Sequence, residues 1–388
     1  MKVERIQLYH IDLRKRPPHH QLFAIRLCTD DGLCGVGEIA MPYGVGGESV
    51  LAAARAVGER FVLGCDPARP EALWQSVFRG SYWGLGHSLA LYGAMAGFDL
   101  ACWDIKGKSV GRPLHDLLGG RVRDSLDLYA NHWYGDAKTP EEFAAKAAAA
   151  VAAGWRGLKF DPFREHAGRT QAAAVQLDPA AGKRGVARAK AVREAIGPDV
   201  RLYFDLHGAL APDDAVRWCA ELVELEPAFI EEPVATLHAD ATARVRAALP
   251  RLPLAGGERL YLRQHFLPYL EKGLFDVVQP DVCLAGGITE TRKIAALAES
   301  YSVRVQLHNC AGPICTAASL HLMLATPNAS PQEWFPFWED GRYDMVHEPF
   351  EPIARDGAFD AAHANRPGLG VELNDDYVQP FLVSELSK

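Results

Sequence analysis

Long apolar runs and clusters of basic residues are both missing from this chain of 388 residues. No apolar run approaches the roughly 18–20 residues of a membrane span, and the first residues enter a strand-like pattern without the apolar core of a leader peptide. A net charge of −8 without a basic stripe argues against a nucleic-acid surface. We therefore expect a cytoplasmic protein that binds neither membranes nor nucleic acids.

Signals for metal-binding cysteines and for a dinucleotide are also missing. The eight cysteines include no Cys-x-x-Cys pair, and the Gly-x-Gly pairs that begin at Gly44 and Gly84 lack the remainder of a dinucleotide-site pattern. Cysteines inside apolar or helical stretches are expected to be reduced in a cytosolic protein. These cysteines are Cys28, Cys102, Cys219 and Cys283. With 48% hydrophobic residues, the composition agrees with a soluble enzyme.

What the chain does contain is a carboxylate at the end of three successive apolar runs. Asp205, Glu231 and Glu258 lie 26 and 27 residues apart, about the length of one strand, one helix and their loops in a β/α barrel. Three strands at this spacing would present carboxylates at one rim, where they repel one another unless a cation lies between them. All-oxygen ligands favour Mg²⁺. The alternative is that three unrelated acids begin three loops.

The same interval continues on both sides of these residues. Further strand-like segments end near Asn131 and Lys159 upstream and near Asp281, His308 and Glu333 downstream. Eight such segments alternate with stretches that have a helical composition. They predict an α/β fold built on a β/α barrel, with the chemistry at the C-terminal ends of the strands. The helices predicted most clearly are 143–153, 186–196, 212–224 and 290–301.

The segments outside this repeat predict a second unit. Residues 3–13 alternate like a strand, and residues 22–40 read as a hairpin around a glycine-containing turn. A strand-like segment at 368–373 has no barrel position left to fill. We expect both ends of the chain to build an α+β cap over the barrel mouth, with the active site between the two units. The helical stretches of this cap are 50–62 and 88–108.

Residues 96–120 are similar to the linker that enters the barrel in the enolase superfamily, in its mandelate racemase-like branch. They begin AGFDLACWDIKGK and end LLGG. The resemblance covers nearly the whole chain and implies a modified TIM barrel, (β/α)7β, under an α+β cap. It implies a cap at 1–122, a barrel at 123–366, and a return of the tail to the cap at 367–388.

The resemblance also implies a role for each strand end. Asp281 and His308 match a dyad in which the histidine is the base and the aspartate orients it. Glu333 matches a carboxyl group that hydrogen-bonds the substrate carboxylate. Neutral His308 would remove the α-proton, and a divalent cation would stabilise the resulting enediolate. The residues that match the Mg²⁺ ligands are Asp205, Glu231 and Glu258.

Two departures from the racemase pattern change the expected reaction. Where racemases have Lys-x-Lys on the second strand, this chain has Lys159 followed by Asp161, so the second base is absent. Where racemases have Asn, His207 follows Asp205 by two residues on the same strand face. A histidine there resembles the sugar-acid dehydratases of the galactonate dehydratase type, and it can protonate a departing β-hydroxyl.

Other roles stay open for three of these residues. Lys159 either adds positive charge near the substrate carboxylate or is a lysine at a strand end with no function. Asp161 either contacts substrate or begins a loop, and His207 either acts on substrate or only orients Asp205. Polar residues interleaved with aromatic ones suit a polyol, although the aromatic rings are also suited to packing between cap and barrel. The substrate contacts expected are Tyr43, Trp83, Asn131, His132, Asp161 and Trp334.

The sequence therefore predicts a Mg²⁺-dependent lyase that dehydrates an aldonate or related sugar acid to a 2-keto-3-deoxy acid. One alternative is an acid-sugar epimerase, racemase or cycloisomerase, in which His207 returns a proton to carbon. An alternative from a different class is a catalytically silent barrel that binds an acid ligand. The expected partners are a small sugar acid and further copies of the chain in a homo-oligomer.

Overall fold

An antiparallel sheet followed by helices opens the chain. The computed structural model describes residues 1–13, 20–41, 45–82, 85–86, 88–163, 177–338 and 341–388. Its first strands are β1 (Val3–Leu13), β2 (His20–Thr29) and β3 (Cys34–Ile39). Strand β2 pairs antiparallel with both of its neighbours. The predicted first strand and hairpin are therefore confirmed.

Four helices complete the first part of the cap. They are α1 (Gly47–Val57, continued by a π-helical turn, Gly58–Val62), α2 (Pro70–Gly80), α3 (Leu89–Ser109) and α4 (Leu114–Leu117). Helix α3 begins where predicted, because the Ser88 hydroxyl accepts from the Leu91 N–H at 3.3 Å. It is buried around nearly its whole circumference, as expected of a helix between a sheet and a second domain. Helix α2 was not predicted.

Eight parallel strands alternate with seven helices in the described part of the barrel, in agreement with the predicted (β/α)7β fold. The strands are β4 (Ser125–Ala130), β5 (Gly157–Phe160), β6 (Arg201–Asp205), β7 (Phe229–Glu231), β8 (Leu254–Gly256), β9 (Val277–Val278), β10 (Arg304–Val305) and β11 (Gln332–Trp334). The helices are α5 (Pro140–Ala152), α6 (Pro179–Ile196), α7 (Pro212–Val223), α8 (Ala239–Ala248), α9 (Arg263–Glu271), α10 (Gly287–Ser300) and α11 (Pro313–Ala325).

The strands follow one another around the barrel. Their order is β11, β4, then β5 to β10 in sequence, and all of these pairs are parallel. Main-chain hydrogen bonds of 2.9 and 2.7 Å join Val305 to residues 328 and 330, so the last two strands also meet. The carboxyl ends of all the strands therefore surround one mouth.

The tail returns to the cap through the predicted segment and through a further strand that was not predicted. It contains β12 (Val346–His347), β13 (Ala358–Asp360), β14 (Glu372–Leu373), α12 (Asp375–Val378) and β15 (Leu382–Ser387). Strand β15 pairs antiparallel with β1 and extends the cap sheet. The segment at 368–373 also reaches the cap, as predicted, because the Leu369 N–H donates to Asp104 at 2.8 Å and Glu372 lies 2.5 Å from Lys108. Its strand residues pair with β12. Alternation alone predicted a strand and could not name its partner.

One cysteine prediction was wrong. Cys28 is not a free thiol, because it forms a disulfide with Cys34. The two residues face each other across the β2–β3 hairpin, with their Cα atoms 4.2 Å apart. The pairing could have been anticipated from two cysteines that bracket the predicted turn. Cys102, Cys219 and Cys283 are free and buried, as expected.

Among the described residues, no helix is both long and apolar enough to cross a membrane.

Candidate active site

A buried lysine lies at the centre of the barrel mouth. The Lys159 Nζ lies 2.7 Å from Glu231 Oε2, 2.6 Å from Glu333 Oε1 and 3.2 Å from Asp205 Oδ2. Burial lowers the pKa of Lys159, but Glu231 and Glu333 raise it well above its ordinary value. Lys159 is therefore a cation that neutralises converging carboxylates, and it is not a lysine reaching out to solvent from a strand end.

Two of the predicted metal ligands come from adjacent strands in register. Asp205 on β6 pairs directly with Glu231 on β7. Burial opposes ionisation of Asp205, but the charges of His207 and Lys159 outweigh it and lower the pKa of Asp205. Burial and the charge of Asp205 raise the pKa of Glu231 to about 8. The two carboxylates thus compete for the one ammonium group between them.

The third predicted ligand lies on the side of the mouth nearest the dyad. Glu258 follows β8 by two residues, and its carboxylate lies 2.8 Å from Arg259 Nη2 and 3.3 Å from His308 Nε2. It is partly exposed, whereas Glu231 is fully buried. The three carboxylates therefore end three consecutive strands, as the spacing predicted, and each already contacts a nitrogen cation or an imidazole.

The donor set suits a hard divalent cation. Within the described part of the chain, Glu231 Oε1 is buried and has no hydrogen-bond partner. An unsatisfied buried carboxylate oxygen is costly, and coordination to a cation would remove that cost. Carboxylate oxygens are the ligands that Mg²⁺ prefers. Asp205, Glu231 and Glu258 therefore fit the predicted metal.

A second group of potential ligands includes the aspartate of the predicted dyad. One ligand atom from each of Asp281, Cys283 and Cys315 lies within 4.8 Å of the other two. All three residues are buried, and burial raises the pKa of Cys283 to about 12. A protonated thiol is a poor ligand, and sulfur is not a ligand for Mg²⁺. This group does not replace the carboxylates as the candidate magnesium site.

The predicted histidine–aspartate dyad forms between neighbouring strand ends. Asp281 and His308 form an isolated parallel bridge beyond β9 and β10, and His308 Nδ1 lies 2.7 Å from Asp281 Oδ2. The other oxygen of Asp281 accepts from the Cys283 N–H at 2.8 Å. Burial lowers the pKa of His308, but Cys310, Glu258 and Asp281 raise it well above its ordinary value. The aspartate therefore fixes the imidazole in orientation and in tautomer.

His207 and Asp161 form a second imidazole–carboxylate pair on the other side of the mouth. His207 Nδ1 lies 3.2 Å from Asp161 Oδ2, and its Nε2 lies 3.6 Å from Asp205 Oδ2. Burial lowers the pKa of His207, but Asp205 and Asp161 raise it to about 9. Asp161 also accepts from the Phe163 N–H at 2.9 Å. Asp161, which was predicted to contact substrate, thus holds the His207 imidazole in place.

The remaining predicted substrate contacts have different outcomes. Asn131 donates to Glu333 Oε1 at 2.9 Å and so belongs to the carboxylate cluster. His132 has a φ of 59° and lies between the rings of Tyr134 and Trp338, at 5.5 and 6.0 Å. Tyr43 and Trp83 lie outside the described residues.

The prediction that Trp334 contacts substrate was wrong. Its side chain is fully buried, packs at 6.1 Å from the Phe359 ring, and donates to the Glu351 carbonyl at 3.3 Å. Successive residues of a strand point to opposite faces. Glu333 therefore faces the barrel mouth, and Trp334 faces the tail that wraps the outside of β11.

Two polar residues that complete the cluster were missed. Gln279 Nε2 donates to Glu231 Oε2 at 2.8 Å and to Gln306 Oε1 at 2.6 Å. The Asn309 N–H donates to Glu333 Oε2 at 3.0 Å. The position of Gln279 gave a usable signal, because it precedes Asp281 by two residues and ends an apolar run. Asn309 gave none beyond its adjacency to His308.

This combination of parts defines a class of protein. Its elements are a (β/α)7β barrel, an α+β cap and a mouth of buried carboxylates beside a histidine–aspartate dyad. Residues 15–119 match the family described as mandelate racemase / muconate lactonizing enzyme, N-terminal domain. Residues 142–377 match the family described as enolase C-terminal domain-like. The chain belongs to the enolase superfamily, in its mandelate racemase-like branch.

Relatives that match nearly the whole of this chain extend this likeness. The D-gluconate dehydratase of Thermoproteus tenax is 33% identical over 381 residues, which are 98% of this chain and 73% of that protein. The D-galactonate dehydratase of Variovorax paradoxus strain S110 is 35% identical over 383 residues, or 97% of this chain and 94% of that protein.

Solved structures agree with the fold. A member of the enolase superfamily from Salmonella Typhimurium matches with a TM-score of 0.92 and 30% identity, and the match covers 100% of both chains. A mandelate racemase/muconate lactonizing enzyme from Jannaschia sp. CCS1 matches with a TM-score of 0.88 and 28% identity, over 99% of this chain and 98% of that one.

Proposed function

We propose that the chain is a Mg²⁺-dependent hydro-lyase that converts an acid sugar into a 2-keto-3-deoxy acid. Relatives named D-gluconate and D-galactonate dehydratase, which match nearly the whole of this chain, support an acid-sugar dehydratase of the enolase superfamily. Dehydratases of this superfamily generally depend on a divalent metal. The observation that carries the dehydration reaction is the second imidazole, His207, held by Asp161 and Asp205 opposite the His308 dyad.

The cation would be held by Asp205, Glu231 and Glu258. When bound, it supplies positive charge that stabilises the negative charge that builds on the substrate carboxylate as the α-proton leaves. Lys159 adds a second positive charge beside Glu333. Asn131 and Lys159 orient the Glu333 side chain, which in its protonated form would donate a hydrogen bond to the substrate carboxylate.

His308 is the base in this proposal. Its Nδ1 is committed to Asp281 at 2.7 Å, so the Nε2 is the nitrogen that accepts the C2 proton. The imidazolium that forms is stabilised by the buried Asp281 carboxylate. Glu258 lies 3.3 Å from Nε2 in this structure and favours the protonated imidazole. Binding of Glu258 to a cation would remove this effect, so that His308 is neutral and its Nε2 is free to accept the proton.

His207 is the acid. With a pKa raised to about 9 by Asp205 and Asp161 against the opposing effect of burial, it carries a proton at neutral pH. As the C2 proton passes to His308, the C3–O bond breaks and the departing hydroxyl takes the His207 proton to leave as water. The enol that remains tautomerises to the 2-keto-3-deoxy acid.

The side chain of Asp161 favours dehydration over epimerisation. An epimerase without a cofactor needs an acid and a base on opposite faces of the α-carbon. Asp161 stands where the racemase pattern has its second lysine, and its carboxylate binds His207 and the Phe163 N–H. Position 161 therefore carries a carboxylate and has no ammonium group that could return a proton to C2.

The test is to incubate the enzyme and Mg²⁺ with a panel of aldonic and aldaric acids in D₂O. We expect one or a few acids to yield a 3-deoxy-2-keto product, detected as a carbonyl derivative and by NMR, without a C2 epimer of the substrate. His308→Asn is the matched control and should be inactive. Accumulation of the epimer without keto acid would instead establish an epimerase, and neither product with any acid would favour a binding protein.

A further inference from the structure

The loop that carries the proposed base is held by the cap. Between His308 and α11, the Gly312 N–H and the carbonyls of Cys310 and Ala311 bond to side chains from elsewhere in the chain. The N–H of Gly312 donates to Glu38 Oε1 at 2.5 Å, and the N–H of Cys315 donates to Glu38 Oε2 at 3.0 Å. Glu38 lies on β3 of the cap, 274 residues earlier than Gly312.

Glu38 therefore satisfies the exposed amides at the start of a barrel helix. Gly312 is the N-cap of α11 and has no side chain to accept these hydrogen bonds. The glycine is required by the contact, because a Cβ at position 312 would lie 2.7 Å from Glu38 Oε1. Its φ of −107° would otherwise accept any residue. The carboxylate of Glu38 in the cap is thus matched to the two amides of Gly312 and Cys315 in the barrel.

The carbonyl groups of the same loop are held from a second direction. Arg342 Nη1 donates to the carbonyl of Ala311 at 2.7 Å and to that of Cys310 at 3.3 Å, and its Nη2 lies 3.0 Å from His20 Nδ1 of the cap. Arg342 is fully buried. Glu38 fixes the amides of the loop and Arg342 fixes its carbonyls. The backbone of the loop therefore has little conformational freedom once the cap is docked.

We propose that Glu38 is a positioning residue for His308, through which docking of the cap sets the orientation of the base. The inference rests on the proposed function, since His308 must be the base for its orientation to control turnover. Cap docking then does more than close the mouth, because it completes the hydrogen bonds of the loop from which His308 projects. The dyad bond from Asp281 fixes the imidazole at Nδ1, and Glu38 fixes the backbone behind it.

The chain offers a matched control at the same interface. Asp99 of α3 is also buried and accepts from the Thr289 N–H, at 2.9 Å, in the first turn of α10. That helix follows Asp281, but the loop between them is fixed by its own main-chain hydrogen bonds. The Leu284 and Ala285 amides donate to the Asp281 carbonyl at 3.1 and 2.7 Å. Asp99 therefore contributes a similar interface contact without setting the position of a reacting group.

The experiment compares Glu38→Gln, Glu38→Ala and Asp99→Asn in the full-length enzyme with Mg²⁺, well below the unfolding temperature. We expect kcat to fall roughly 10–100-fold in Glu38→Gln, because a displacement of about 1 Å can cost that much, while KM changes less than about twofold. Glu38→Ala should fall further, because glutamine keeps one acceptor oxygen and alanine keeps none. Exchange of the substrate α-hydrogen with D₂O should fall in parallel with kcat. Asp99→Asn should keep the wild-type kcat.

Gly312→Ala tests the same contact from the barrel side and does not depend on the folding of Glu38→Ala. It should lower kcat and α-hydrogen exchange as Glu38→Gln does. Wild-type kcat in both Glu38→Gln and Gly312→Ala, from an enzyme that does dehydrate a sugar acid, would overturn the positioning role and leave the proposed function standing. Equal losses in Glu38→Gln and Asp99→Asn would also overturn it in favour of a general interface effect. A wild-type enzyme that dehydrates no sugar acid would instead count against the proposed function.

Discussion

The floor of the barrel interior and the layer above it come from the same strands but differ in chemistry. The floor is an apolar cluster that consists of Tyr129, Tyr203, Phe229, Ala255 and Val277. Two residues further along four of these strands, on the same face, lie Asn131, Asp205, Glu231 and Gln279. Two residues along a strand therefore separate the apolar layer from the layer of polar and charged side chains above it.

The two layers have opposite energetic roles. Aromatic rings in the floor pack with centroids 4.5 and 4.7 Å apart, from Tyr129 to Tyr203 and from Tyr203 to Phe229, and such burial stabilises the fold. In the layer above, buried carboxylates are costly unless they are paired. Lys159 meets this requirement, and its Nζ also lies 5.7 Å from the Tyr129 ring. The barrel thus places a layer of buried charges, which is costly to stability, directly above an apolar layer that stabilises the fold.

Removal of the metal should have the largest effect and should act on the upper layer alone. Excess chelator is expected to abolish turnover, and added Mg²⁺ should restore it, because the cation held by Asp205, Glu231 and Glu258 would stabilise the negative charge that builds as the α-proton leaves. Turnover is measured by keto-acid formation, with circular dichroism to show that the fold persists. Full activity after all bound metal is gone would contradict this assignment.

Loss of the base is the next largest effect. His308→Asn is expected to lower kcat by about 10²–10⁴-fold, the usual contribution of a general base, and to stop α-hydrogen exchange with D₂O. Its thermal unfolding should stay close to that of the wild type, since His308 lies in the upper layer. Equal exchange in the variant and the wild type would show that another residue is the base.

A truncation in the floor should produce the converse result. Phe229→Ala removes a ring that is 1% exposed and should lower the free energy of unfolding by about 3–5 kcal/mol. Denaturant unfolding measures the change. The effect on kcat of the folded enzyme should be small compared with that of His308→Asn. A large loss of kcat without loss of stability would break the division between the two layers.

A smaller and more selective effect is expected from the proposed acid. His207→Asn should slow loss of water by about 10²-fold, the lower end of the usual contribution of a general acid, and leave most of the α-hydrogen exchange, because His308 still removes the proton. The ratio of exchange to keto-acid formation, measured in one NMR experiment, separates the two steps. Parallel loss of both would show that His207 mainly orients Asp205.

The smallest effect concerns stability outside both layers. Burial and neighbouring His115 lower the pKa of His321 from 6.5 to about 3, so the folded state keeps it neutral while the unfolded state takes up a proton below pH 6.5. Stability is therefore present above pH 6.5 and is lost as pH falls toward 3, by about 1 kcal/mol between pH 6.5 and 5.5. Unfolding of His321→Gln should lack this component of the slope. An identical slope would contradict it.

The repeat of strands and carboxylates was predictable from the sequence because it is a local signal. Apolar runs, helical compositions and the intervals between Asp205, Glu231 and Glu258 each depend on short stretches of chain. The resemblance of residues 96–120 then supplied the dyad and the reaction class. His207 was expected on the strand face of Asp205, but it lies beyond the end of β6 with a φ of 51°, so the turn and not strand alternation places it beside Asp205.

Only the tertiary structure decided which side chains meet across the chain. The contacts of Lys159 with three carboxylates and of Glu38 with Gly312 join separate elements, and no periodicity encodes them. The outward face of Trp334 was settled by the tail that packs on β11. Local patterns fix elements and faces, whereas the docking of the cap and the curvature of the sheet fix partners, because these depend on the packing of all layers at once.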